Sequence, residues 1–171
     1  MAEATHERTV VIAMDGSHFA AYAFEWYMDN AHRKTDYVIF VHTPEFHNAL
    51  SSSSNTDYVD PTSNVVMDMY RAEQKKAREL VQSLGQRLKD AGVSGKVRCE
   101  TGFPGQAIVK VAEEEQAVFI VTGCRGQGTV RRTLMGSVSD YIVHHSHVPV
   151  VVCRHKGHYT KHDFHSSHKK N

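Results

Sequence analysis

The octapeptide Val10-Val11-Ile12-Ala13-Met14-Asp15-Gly16-Ser17 joins a continuous apolar run to a polar turn and a helix cap. The run is rich in β-branched residues and lacks polar alternation, so it reads as a strand covered on both faces. Ser17 can cap the helix that follows, on which Phe19, Ala23, Tyr27 and Met28 share one face. The same alternation recurs down the chain. Strand-like runs lie at Tyr37–Val41, Val118–Thr122 and Val148–Cys153. Lys96–Thr101 alternates in polarity instead and is predicted to be half exposed and near a sheet edge. A long helix is predicted from Val66, Met69, Tyr70, Ala77, Leu80, Val81, Leu84 and Leu88, with Gly92 as its stop. Ile108, Val111 and Ala112 mark a shorter helix after Pro104-Gly105, and Val138, Tyr141, Ile142 and His145 mark a last one. The order β-α-β-α-β-α-β-α-β implies a parallel sheet wrapped by helices.

Composition fits this class and excludes others. The chain has 171 residues, 40% hydrophobic and 23% charged, with a formal charge of +1. Such a balance offers no broad footprint for nucleic acid or an anionic membrane. The longest apolar runs fall far short of the ~20 residues of a membrane helix, and the first nine residues lack the apolar core of a secretory signal. Cys99, Cys124 and Cys153 are odd in number and widely spaced, which suggests buried thiols in a reducing, cytoplasmic compartment. Residues 1–8 read as a polar leader. Residues 155–171 read as a flexible tail carrying five of the chain's 13 histidines among lysines. Those histidines suit weak metal binding at most. His144, His145 and His147 are placed at the end of the last helix, where a cation suits the dipole. The polar stretch Phe46–Ser63 is long enough to be functional or disordered.

In an open parallel sheet, ligands bind beyond the carboxyl ends of the strands, where strand order reverses. Asp15-Gly16-Ser17 follows the first strand, and Gly123-Cys124-Arg125-Gly126-Gln127-Gly128 follows the fourth. Gly123 and Gly126 would let the backbone turn with positive φ and let a ligand come close. Gly136-Ser137 opens the last helix, whose N-terminal amides favour phosphate. Ser137 and Ser139 can add hydroxyl donors, and Arg125, Arg131 and Arg132 can screen anionic charge. Asp15 can accept from ribose hydroxyls or hold a magnesium ion shared with phosphates. Each feature alone has a plainer reading, as turn, cap or solvated charge. Their convergence on one rim of the sheet is what points to a site. Neither G-x-x-x-x-G-K-[ST] nor an early G-x-G-x-x-G is present, so a P-loop NTPase and the dinucleotide fingerprint are excluded.

The spacing Gly123-x2-Gly126-x9-Gly136-Ser137 resembles the nucleotide-binding signature of the universal stress protein (UspA) family, in its ATP-binding subgroup. The opening Val10–Ser17, the turn Thr101-Gly-Phe-Pro-Gly105 with its Ile-Val-x-Val-Ala helix, and the ending Gly136–Asp140 through Val148-Pro-Val150 resemble that family too. The match spans about residues 8–154, and the domain is placed at 9–154. It implies a Rossmann-like α/β fold, an open five-stranded parallel sheet of order 3-2-1-4-5 with helices on both faces. It also implies ATP or AMP bound between the first and fourth strands. Carried over by position, main chain near Ala13 and Thr43 would meet adenine, and Asp15 the ribose or a Mg ion. Gly123, Arg125, Gly126, Gly136, Ser137, Val138 and Ser139 would hold ribose and phosphates. Thr43 stands where the family more often has an aliphatic residue, and residue 125 varies among members.

Hydrolysis needs an oriented water and charge stabilisation on the γ-phosphate. No base is visible in the glycine loop, and His42, at the end of the second strand, reads as structural. The expectation is a nucleotide-dependent stress-response switch or sensor with slow ATP hydrolysis at most. The alternative is a chaperone-like or signalling adaptor whose pocket is vestigial or holds another small molecule. An enzyme acting on an adenylated intermediate is disfavoured for want of a catalytic constellation. The apolar run 148–153, with Pro149, reads as an edge strand. Two-fold pairing of that strand would make a homodimer, which the resemblance also implies.

Overall fold

Backbone groups in an apolar run must pair with one another, and here they do so by forming a parallel sheet. The computed structural model describes residues 8–44, 64–126 and 135–154, without the side chains of residues 64–66 and 69. Five strands, β1 (Arg8–Ala13), β2 (Asp36–His42), β3 (Gly95–Cys99), β4 (Phe119–Gly123) and β5 (Val150–Cys153), pair in the order β3-β2-β1-β4-β5, all parallel. Between them run α1 (His18–Asn30), α2 (Asn64–Asp90), α3 (Pro104–Glu114) and α4 (Ser137–His145). This is the expected fold and strand order. Arg8, last residue of the leader in the sequence reading, is the first residue of β1. The stretch 46–63, Gln127, Gly128, Arg131, Arg132, the leader before Arg8 and the tail 155–171 lie outside the described residues.

The central strands are covered on both faces because alternate residues feed two apolar layers. Val10, Ile12, Val38, Phe40 and Val121 pack with Phe24 and Tyr27 of α1 and Leu84 and Leu88 of α2. Val11, Ala13, Ile39, Val41 and Ile120 pack with Ile108 and Val111 of α3 and Ile142 of α4. Ser17 caps α1 as expected, its Oγ accepting from the Ala20 amide at 3.2 Å, a contact typically worth about 1 kcal/mol. Gly92 ends α2 with φ +65°, while Val93 N–H donates to Leu88 C=O and Gly92 N–H to Lys89 C=O. That double closure needs a left-handed residue, which glycine adopts without a Cβ clash. His144 and His145 each donate from Nδ1 to the carbonyl four residues back in α4, that of Asp140 and of Tyr141, at 2.9 Å.

Expectations change for a helix, a cysteine and the glycines. Among the described residues of the predicted apolar stripe of α2, Leu84 and Leu88, toward its carboxyl end, are buried, whereas Tyr70 is exposed. The reason is length: 27 residues make a helix of about 40 Å, and a five-residue strand covers only about 17 Å. The amino half of α2 therefore overhangs the carboxyl edge of the sheet. Cys99 is exposed, because edge strand β3 turns it to solvent, while Cys124 and Cys153 are buried as expected and all three are free. The third change concerns the glycines of the site.

Candidate functional site

A cavity of about 680 Å³ opens at the carboxyl ends of the strands, where the order reverses between β1 and β4. Its size falls within the range of small-molecule sites. All ten sequence-predicted site residues line it. Ala13 and Asp15 come from the end of β1, and Thr43 from the end of β2. Gly123, Arg125 and Gly126 follow β4, and Gly136, Ser137, Val138 and Ser139 open α4. Parallel pairing brings these stretches together, since every strand delivers its following loop to the same rim.

Neither Gly123 nor Gly126 has positive φ; at this rim Gly16, at +80°, and Gly102, at +100°, do. What demands glycine at 123 and 126 is close approach. A Cβ on Gly123 would stand 2.8 Å from the carbonyl carbon and oxygen of Phe19, so α1 lies directly on the β4 backbone. A Cβ on Gly126 would stand 2.7 Å from Asp15 Oδ2. Asp15 thus reaches across from β1 to the glycine loop while its Oδ1 accepts from the Ser17 amide at 2.9 Å. It is both the turn residue and a wall of the cavity.

At the opening of α4, Gly136 takes an extended backbone as N-cap, and its amide donates to Cys124 C=O at 2.8 Å. That bond fastens the helix start to the glycine loop. Amides of a first helical turn have no partner within the helix and carry its positive end. The serines divide the work. Ser137 is exposed at the rim. Ser139 is buried, and its hydroxyl donates to Gly136 C=O at 2.9 Å and approaches Cys124 C=O at 3.3 Å. Ser139 therefore braces the loop and is not the free hydroxyl donor expected from the sequence. Arg125 lies with its guanidinium 5.9 Å from the Phe19 ring centroid, at the mouth.

At the other end of the cavity, His42 Nδ1 donates to Met14 C=O at 2.9 Å, tying β2 to the chain leaving β1. This is the structural role expected of it. Beside it, Thr43 is buried and its Oγ1 has no hydrogen-bond partner, the sole such side-chain atom among the described residues. An unsatisfied buried hydroxyl costs about 1–3 kcal/mol. Behind the loop, burial and the neighbouring Cys124 push the Cys153 thiol up to about 11, so it stays protonated.

Sequence reasoning missed one wall. Glu73, Lys76 and Ala77, on the overhanging part of α2, and Leu80, one turn nearer the core, line the cavity. No spacing in the sequence signals this, because it depends on how far α2 projects past the sheet.

Comparison with known proteins agrees with this architecture. The Universal stress protein family matches residues 7–154. A Staphylococcus aureus protein carrying that family name is 32% identical over 151 residues, covering 86% of this chain and 84% of its own. A Synechocystis universal stress protein is 31% identical over 93 residues, 54% of this chain, and the match spans only 60% of that relative's length. Among solved structures, that of MJ0577 superposes with a TM-score of 0.71 at 22% identity, covering 90% of this chain and 100% of that one. MJ0577 is a universal stress protein of Methanocaldococcus jannaschii. An Arabidopsis thaliana family protein solved with AMP bound superposes with a TM-score of 0.61 at 20% identity, covering 88% and 93%. With a sheet of order 3-2-1-4-5, a glycine loop fastened to a helix start, and a family match that spans all the described residues, the chain belongs to the universal stress protein family.

Proposed function

We propose that the cavity binds an adenine nucleotide, ATP or AMP, and that the protein acts in stress response as a nucleotide-dependent switch or sensor. One observation carries this reading: the glycine loop after β4, the amino end of α4 and Asp15 all line one cavity. The helix start supplies amides and positive potential for phosphate, and the close approach at Gly126 leaves the loop backbone open to a ligand. Asp15 supplies one carboxylate for ribose hydroxyls or for a Mg ion shared with the phosphates. Thr43 and Ala13 form the base end. Family relatives solved with AMP and with cAMP make an adenine nucleotide the first ligand to try.

The test is a calorimetric titration with ATP, ADP, AMP and GTP, with and without Mg, on the wild type and on Gly126→Asp. At 126 a new Cβ meets only the far end of the Asp15 side chain, so the fold tolerates the change. The added carboxylate would face the phosphates, and affinity should fall at least 100-fold. A wild type that binds none of the four nucleotides, or a variant that binds equally well, sinks the reading.

Two further elements belong to the same proposal. β5 lies at an edge of the sheet, and pairing of residues 148–153 with a second copy would cover it and make a homodimer. Light scattering should then give twice the 19.2 kDa of the chain; the single-chain mass at micromolar concentration refutes it. Three free cysteines suit a reducing, cytoplasmic setting.

A further inference from the structure

The nucleotide reading leaves one polar atom of the cavity without a task, Thr43 Oγ1. It is sealed from solvent without a partner, in a residue only 8% exposed that stands in the cavity wall. The groups around it are already committed. His42 Nδ1 is spent on Met14 C=O, the Met14 amide on Val41 C=O, and the His42 carbonyl accepts from the Glu100 amide. Valine would fill the same space with no hydroxyl to desolvate, so threonine is the worse residue for the empty protein. It becomes the better one only if a polar partner arrives with a ligand. The hydroxyl can both donate and accept. Threonine also has staggered side-chain positions that exchange oxygen and methyl at nearly constant shape, so a turn of one χ1 well moves the oxygen without opening a void.

We propose that Thr43 is a specificity-determining residue at the base end of the cavity. When a purine base enters, the side chain turns by one χ1 well, and its hydroxyl hydrogen-bonds a ring nitrogen or exocyclic amino group on the base edge. This rests on the nucleotide reading and adds to it a side-chain contact where the family resemblance implies main chain alone.

The experiment compares wild type, Thr43→Val and Thr43→Ser. Each empty protein is melted, and each is titrated with AMP and with ribose 5-phosphate, which has the sugar and phosphate but no base. Thr43→Val should melt about 2–4 °C above wild type, because an unsatisfied group is gone, yet bind AMP about tenfold more weakly. Its affinity for ribose 5-phosphate should stay within twofold of wild type. Thr43→Ser, which keeps the hydroxyl, should bind AMP within about threefold of wild type. Equal AMP affinity in Thr43→Val and wild type overturns the proposal while leaving the nucleotide reading intact. Equal weakening toward AMP and ribose 5-phosphate also overturns it, since the residue would then act through the fold. A wild type that binds neither AMP nor ATP sinks both readings together.

Discussion

The two ends of the sheet treat their polar groups in opposite ways. At the amino end, Asp36 is fully buried and every oxygen is used. Arg8 grips it with Nε and Nη2, Tyr27 Oη donates to it at 2.5 Å, and the Arg33 amide donates at 2.9 Å. Arg8 also holds Ala31 C=O, and His32 Nδ1 reaches Tyr27 Oη at 3.2 Å. At the carboxyl end the backbone is pared to glycine at 123, 126 and 136, and Thr43 keeps an unpaired hydroxyl. A closed network fixes structure; an open one leaves free energy to be gained from a ligand.

The largest expected effect comes from opening the closed end. Burial alone would raise the Asp36 pKa, but hydrogen bonds from Arg8, Tyr27 and the Arg33 amide outweigh it and hold the carboxyl below its ordinary value of 3.8. Asp36→Asn leaves the Arg8 charge without its counterion and should cost about 3 kcal/mol of stability at pH 7, read by urea unfolding. The sign of the pH dependence follows from the depressed pKa. The contribution is complete above the ordinary carboxylate value and is lost as pH falls through the folded one. The gap between wild type and variant should therefore be full at neutral pH and narrow below about pH 4. A gap that widens in acid, or a variant as stable as wild type, would show that the network is not the anchor of that end.

Gly123→Ala strikes the open end through packing. Its methyl meets the Phe19 backbone, which is not a side chain that can swing away. α1 must lift off β4, at a cost of about 1–3 kcal/mol, and the glycine loop would shift with it. Gly126→Asp, by contrast, should lose ligand while keeping its melting temperature. If Gly123→Ala proves neutral in stability, the contact between α1 and β4 is looser than the close approach at Phe19 requires.

Much of this was legible in the residues. Val10–Met14, Tyr37–Val41 and Val118–Thr122 declared strands because runs buried on both faces need no alternation, and Lys96–Thr101 declared an edge because it alternates. The ten residues predicted for the site lie at strand ends, in the turns that follow and at the start of α4, which parallel pairing delivers to one rim. The order 3-2-1-4-5 was not in the residues alone; the family resemblance supplied it. Other features depend on long-range geometry. The bond between Arg8 and Asp36 joins residues 28 apart, and nothing local marks either as buried. At Gly123 and Gly126 the sequence pattern pointed to conformational freedom, whereas close approach to Phe19 and to Asp15 is the actual constraint. Cys99 resembles the other two cysteines in sequence; it turns to solvent from β3, whereas Cys153, on the opposite edge strand, packs into the core.

The smallest effect tests the wall that the sequence did not disclose. Lys76 stands on the overhanging part of α2, 70% exposed, with its ammonium 2.7 Å from Glu73. An exposed cation at the cavity mouth is screened within about 8 Å at physiological salt, and such a pair contributes about 1 kcal/mol or less. Reversing the charge with Lys76→Glu places two carboxylates in the wall of the cavity. ATP affinity should fall about two- to fivefold at physiological salt, more at low salt, and AMP should suffer less than ATP because it carries less charge. Thermal stability should not change, since neither residue is buried. A variant that binds ATP and AMP as wild type does, at every salt concentration, would mean that α2 stands clear of the ligand. The open end would then be bounded by the strand loops and α4 alone, and its difference from the closed end would be sharper still.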